Sequence, residues 1–241
     1  MDTAEYVEEV RRAGHHLADI AEGHLDRAVP SCPDWTVAKL VDHMADVIDF
    51  WGAIASGRAP SPDGYVRPTS PGSDELVGWY RGLLDVAIAE LAIVDPTTPR
   101  WNWTGDEQNA GWIIRRMANE TAMHAWDGEA AVDAARPLRQ PIALDGVDEF
   151  FDVFAPLWAK ELEGHVSTIH LHATDGPGEW FATVGAGALN VERVHAKGDV
   201  AVRGTASDLV LMLWNRVDPG GLELHGDRNG LDRFLATVRI G

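Results

Sequence analysis

Residues 109–134 read NAGWIIRRMANETAMHAWDGEAAVDA. Ile113 and Met117 stand seven and three residues before Glu120, and His124 stands four after it. Glu120 and His124 therefore share one helical face, and that face is the apolar one. A carboxylate aimed along the core-facing stripe of a helix needs a partner, because an unpaired buried charge is strongly unfavourable. The stretch predicts a long helix from about Asn109 to about Ala134 with a partly polar inner face, and neighbouring helices to receive it.

Those neighbours lie upstream. Val7, Val10, Leu17, Ile20 and Leu25 fall at helical spacings over residues 5–27, and Pro30 and Pro33 interrupt the pattern. Thr36 can cap the next helix, since its hydroxyl can accept from a free amide in the first turn. That helix runs to about Gly57 with Val37, Leu40, Met44, Val47, Ile48, Trp51 and Ile54 as a broad apolar stripe. The proline-rich stretch 57–73 reads as a loop, and Ser73 opens a third helix that ends before Pro96. Four helices joined this way predict a four-helix bundle.

After Pro137 and Pro141 the pattern changes. Residues 145–162 still look helical, but alternation begins at 165–174 (HVSTIHLHAT), and Asp175-Gly-Pro-Gly-Glu179 is a turn. Strand candidates follow at Trp180–Val184, Leu189–His195, Val200–Arg203 and Leu222–His225, with helices at Thr205–Trp214 and Leu231–Val238. The fold class expected is α+β: a four-helix bundle over 1–140, then a smaller α+β domain over 141–241.

Composition limits the partners. The chain has 241 residues, 45% of them hydrophobic, with 20 Lys plus Arg against 38 Asp plus Glu, a formal net charge of −18. Such a field disfavours duplex nucleic acid and anionic membrane surfaces, both of which need cationic protein. No apolar run reaches the roughly 18 residues of a membrane span. The single cysteine, Cys32, excludes an internal disulfide, and the first residues, MDTAEYVEEVRR, carry no secretory pattern, so a cytoplasmic protein is expected. An anionic substrate would need a local cationic exception.

In the second helix His43 lies three residues after Leu40 and four before Val47, on the core-facing side. Two helices thus offer His43, Glu120 and His124, a His₂Glu set able to hold a catalytic divalent metal, typically Zn²⁺ with one open position. Arg116, four residues before Glu120, is a competing partner; if it holds Glu120, no metal is required. His170 and His172 share one face of a strand, but no carboxylate or third His follows at helpful spacing. Alternation places Ile169, Leu171 and Ala173 inside and both imidazoles outside or between domains. The pair His15 and His16, and His24, His165, His195 and His225, show no suggestive spacing. Cys32 lacks a basic neighbour in sequence that would lower its pKa, which favours a partly buried structural thiol over a nucleophile. No phosphate loop, nucleophile elbow or C-x-x-C is present.

The run 29–43, VPSCPDWTVAKLVDH, with 116–127, RMANETAMHAWD, resembles the mycothiol-dependent maleylpyruvate isomerase family, a branch of the DinB-like metalloenzymes. The segment 170–180, HLHATDGPGEW, with Gly204-Thr-Ala-Ser-Asp208-Leu, resembles that family's C-terminal domain, which is similar to sterol carrier proteins. The chain departs from the pattern at Asp34, where the family usually has Gly before the Trp, and at Asn215, where a Gly-Arg pair is common.

The resemblance implies that His43, Glu120 and His124 are zinc ligands and that Arg216 faces the metal cleft from the second domain. It implies a divalent metal, Zn²⁺, and mycothiol or a similar low-molecular-weight thiol as cofactors, with a small electrophilic metabolite as substrate. Asp127, one turn past His124, is a candidate acceptor for a ligand imidazole, with a helix-end surface carboxylate as the alternative. A metal favours thiolate over thiol. The thiolate could add to a conjugated cis double bond, allow rotation and be eliminated, giving isomerisation; it could equally add irreversibly or displace a leaving group, giving S-transfer. The contrasting expectation is a non-catalytic binding protein, its metal structural or absent, whose sterol-carrier-like domain and a cleft lined by Trp35, Trp51, Trp79, Trp101, Trp103, Trp112 and Trp126 hold an apolar ligand.

Overall fold

The computed structural model describes residues 1–105, 108–158, 160–162, 167–185 and 187–238. The chain is α+β and divides into two compact units, Met1–Arg136 and Pro137–Gly241.

The first unit is built from α1 (Thr3–Ala21), α2 (Val37–Ser56), α3 (Ser73–Ile93) and α4 (Ala110–Ala131). Local chemistry sets the ends. Asp2 and Glu5 form a reciprocal capping box that starts α1 two residues before its apolar pattern. Thr36 accepts from the Lys39 amide at the start of α2, Gly57 closes it in the left-handed conformation, and Asn109 accepts from the Trp112 amide to start α4. In the bundle α1 packs against α3 and α4, and α2 packs against the same two, so α2 and α4 are direct neighbours. The helices close on Val10, Leu17, Leu40, Met44, Ile48, Leu84 and Ile113, all essentially without solvent exposure. Gly128 lets α1 approach α4, since a Cβ there would stand 2.7 Å from Leu17 Cδ1.

Between α1 and α2 the two prolines bracket a tight loop. The amides of Cys32 and Trp35 donate to the carbonyls of Val29 and Cys32, and the Val29 amide donates back to Trp35. Asp34 takes φ +67° at its apex. The backbone keeps the left-handed geometry a glycine would favour, and Asp is among the few other residues that tolerate it.

The second unit carries α5 (Gln140–Glu149), a π-turn (Phe150–Phe154) and a short 3₁₀ turn (Ala155–Trp158) in place of one continuous helix. The ladder breaks where Pro156 has no amide to donate. Then come β1 (Ser167–Ala173), β2 (Glu179–Gly185), β3 (Ala188–Glu192), β4 (Val200–Gly204), α6 (Ala206–Leu213), β5 (Glu223–Gly226) and α7 (Arg228–Thr237). His165, expected at the start of the first strand, lies outside the described residues. The sheet order is β3-β2-β1-β4-β5, with β1 and β4 parallel and the other pairs antiparallel. Ile169, Leu171, Trp180, Ala182, Val200 and Val202 share one sheet face and are fully buried. Helices α6 and α7 lie against β1 and β4, and α5 packs on α6. Asn215, just past α6, also takes a positive φ, +58°. Asp34 and Asn215 thus both hold a backbone conformation that glycine would serve.

No helix among the described residues is long and apolar enough to cross a membrane.

Candidate functional site

Neighbouring helices α2 and α4 bring His43, Glu120 and His124 together. One potential ligand atom from each lies within 4.8 Å of the others. Glu120 Oε1 stands 3.6 Å from His43 Nε2 and 3.3 Å from His124 Nε2. Its second oxygen, Oε2, accepts from Arg116, whose side chain is almost fully buried beneath it. Arg116 does hold Glu120, as the competing-partner reading expected, but through one carboxylate oxygen only; the other oxygen faces both imidazoles. The site is not deep in the core, as the stripe alone suggested. His124 is buried, but the His43 side chain is 32% exposed, so the cluster opens at the edge of the bundle.

A second layer fixes His124. Its Nδ1 lies 2.9 Å from Asp127 Oδ2, and Asp127 is wholly buried, which removes the helix-end surface alternative. With Nδ1–H donated to Asp127, Nε2 is the nitrogen turned toward Glu120 and His43, and it carries the lone pair whenever the ring is neutral. Asp127 is itself held: Ser31 Oγ donates to Oδ1 and the Cys32 thiol donates to Oδ2 at 3.9 Å. Sequence reasoning missed that contact. Its signal was the pair of prolines bracketing Ser31 and Cys32, which fold the loop back onto α4. The Trp35 ring stands 5.0 Å from His43 and 6.4 Å from His124, nearly parallel to the latter, and walls one side.

The electrostatics follow from these contacts. Burial opposes the charge on Glu120, but Arg116 and the two imidazoles overcome it and hold the carboxyl well below its usual range. Burial likewise opposes charge on His124, yet its bonds to Asp127 and Glu120 push the metal-free imidazole up to about 9. Two imidazole nitrogens and a fixed anionic oxygen converging on one point suit a divalent cation of zinc's preferences, so the residues present fit the expected group.

Four of the tryptophans pack on one another. Trp51 stacks on Trp101 at 6.0 Å and touches Trp103 and Trp112, while Phe50 meets Tyr65 edge-on. In the second unit Arg216 donates to the Trp214 carbonyl at 2.9 Å and lies over the Trp214 ring. There the structure also overturns one expectation: His170 is buried, and a carboxylate and a third imidazole do join His170 and His172, supplied by Glu179 and His195.

Fold and site define a two-unit protein in which a helical bundle presents a His₂–carboxylate cluster of the kind found in metalloenzyme bundles, followed by an α+β unit. Residues 6–129 match the mycothiol maleylpyruvate isomerase N-terminal domain and residues 141–233 the MDMPI C-terminal domain. The chain belongs to the mycothiol maleylpyruvate isomerase family, a family of enzymes. The crystal structure of the mycothiol-dependent maleylpyruvate isomerase aligns over 93% of both chains with a TM-score of 0.62 at 12% identity. That of a His-to-Ala mutant of that enzyme aligns over the same shares with a TM-score of 0.61 at 12% identity. At that identity the likeness is one of fold. No curated protein sequence matches the chain.

Proposed function

We propose that the chain is a metal- and thiol-dependent isomerase or S-transferase of a small electrophilic metabolite, resembling maleylpyruvate isomerase. In this reading the first unit is DinB-like and the second sterol-carrier-like. The observation that carries it is the convergence of His43 Nε2, His124 Nε2 and Glu120 Oε1 at an exposed edge of the bundle.

His43, Glu120 and His124 would hold the divalent metal, Zn²⁺ by donor chemistry. When bound, that cation supplies a Lewis acid beside which mycothiol or a similar thiol is held as the thiolate near neutral pH. The rest falls to the chain. Asp127 fixes the tautomer of His124 and keeps its Nε2 directed outward. Arg116 holds Glu120 ionised and turned so that Oε1 faces the imidazoles. Trp35 gives the site an apolar wall. In a chain of net charge −18, Arg216 is the cation we assign to the carboxylate of an anionic substrate.

The test is metal analysis joined to turnover. The purified chain should carry about one divalent metal at this triad and convert an activated cis-alkene diacid, or conjugate it, only when both metal and a low-molecular-weight thiol are supplied. Arg216→Lys should raise KM for the diacid while leaving metal content unchanged. Turnover that persists after the metal is stripped, or that ignores the thiol, would overturn the proposal.

A further inference from the structure

The second unit holds a cluster that the proposed activity does not use. Strand β1 places His170 and His172 on the sheet face opposite the apolar core. Glu179 opens β2 directly across from His172, and His195 reaches in from the loop after β3. All three imidazoles address one carboxylate. Glu179 Oε2 meets His170 Nε2, and Oε1 lies 2.6 Å from His172 Nδ1 and 3.1 Å from His195 Nδ1. His170 and His195 meet edge to face with ring centroids 4.9 Å apart. Potential ligand atoms of His170, Glu179 and His195 lie within 4.8 Å of one another. Beside them lies an open cavity of about 700 Å³, whose lining includes His170, His172, His195, Lys197 and Arg203.

A carboxylate that needed only hydrogen-bond donors could be satisfied by an amide or a guanidinium. What imidazoles add is lone pairs, and a borderline-soft dication can collect two of them with one carboxylate oxygen. The cluster is also ordered before any ion arrives: His170 is buried, and both oxygens of Glu179 are engaged by imidazoles. We propose that His170, His195 and Glu179 form a second divalent transition-metal site, with His172 bonded to the free oxygen of Glu179 and the cavity giving access to an open coordination position. The donor set is again His₂–carboxylate, built on strands and a loop rather than on helices.

Co²⁺ titration of the full-length chain, followed by visible absorption, tests this. We expect two Co²⁺ per wild-type chain, one for His43→Ala, and none at micromolar metal for His43→Ala combined with His195→Ala. The His195 side chain is 76% exposed, so His195→Ala should fold, and far-UV circular dichroism verifies it. Glu179→Gln in the His43→Ala background keeps a hydrogen-bond acceptor but weakens the ligand, and should lower affinity about 100-fold or more. His172→Ala should cost about 10-fold, the range of an outer hydrogen-bond partner. A His43→Ala chain that binds Co²⁺ only at millimolar concentration, or whose affinity ignores both His195→Ala and Glu179→Gln, would overturn the second site. If a single Co²⁺ binds and is lost with His195→Ala but kept in His43→Ala, the second site stands and the bundle site falls.

Discussion

The two units each gather imidazoles around one carboxylate, yet they do so by different means. In the bundle Glu120 divides its oxygens between a guanidinium and two imidazoles, and the ligand geometry comes from a single helical turn plus one neighbouring helix. In the sheet Glu179 gives both oxygens to imidazoles, and the geometry comes from strand alternation, a cross-strand pair and a loop. A helix fixes side-chain neighbours at three and four residues, so chemistry built on it leaves a trace in the spacing. A sheet fixes them through pairing register, which spacing does not display.

The contrast can be broken most forcefully at the ligands. His124→Ala should lower metal affinity of the first unit by more than about 100-fold and abolish thiol-dependent turnover, whereas His170→Ala should leave that turnover within a few-fold; equilibrium dialysis and initial rates check both. Equal losses of turnover would erase the distinction between a catalytic and an independent cluster.

Asp127→Asn should reduce metal affinity about 10- to 100-fold, because the amide can direct its NH₂ at Nδ1 and favour the wrong tautomer. Competition with a chelator of known affinity measures it. Cys32→Ala should have a smaller effect, since Ser31 still holds the other oxygen of Asp127.

The two clusters should also differ in pH response. Metal-free His124 has its pKa raised from 6.5 to about 9, so its contribution to stability is full below 6.5 and lost as pH rises through 9. Thermal melts of the metal-free chain should therefore weaken over that alkaline window, and Asp127→Asn should flatten the loss. Glu179 is lowered from 4.5 to about 2, so its contribution is present above 4.5 and lost as pH falls toward 2, and Glu179→Gln should flatten that acid limb.

The smallest effects belong to the backbone. Asp34→Gly and Asn215→Gly should each change stability by no more than about 1 kcal/mol, because both positions sit at positive φ where glycine has no steric cost. Asp34→Val should destabilise more than Asp34→Gly, which denaturant melts would show.

Much of this molecule was legible before its fold was known. The apolar stripe of α2, the Thr36 cap and the shared face of Glu120 and His124 are all short-range patterns, and helices express short-range patterns directly. The α+β character of the second unit followed from alternation and the turn at Asp175–Gly178. The remainder depended on tertiary register. His170 read as solvent-facing or inter-domain because alternation assigns a face but not what covers it, and Glu179 and His195 joined it only through the β1–β2 pairing and the loop after β3. The exposure of His43 was likewise invisible, since an apolar stripe does not say how far along the bundle its end opens. The helical reading of 145–162 ran past the break after α5; Pro156 carried a sign of it, but the π-turn ahead of it has no comparable sequence sign.

The most direct measurement is a crystal structure of the full-length protein grown with Zn²⁺ and recorded at the zinc absorption edge. We expect an anomalous peak bonded to His43 Nε2, Glu120 Oε1 and His124 Nε2, with His124 Nδ1 still donating to Asp127. Density in which Glu120 turns both oxygens to Arg116 and no peak stands between the two imidazoles, in a preparation that retains thiol-dependent turnover, would contradict it.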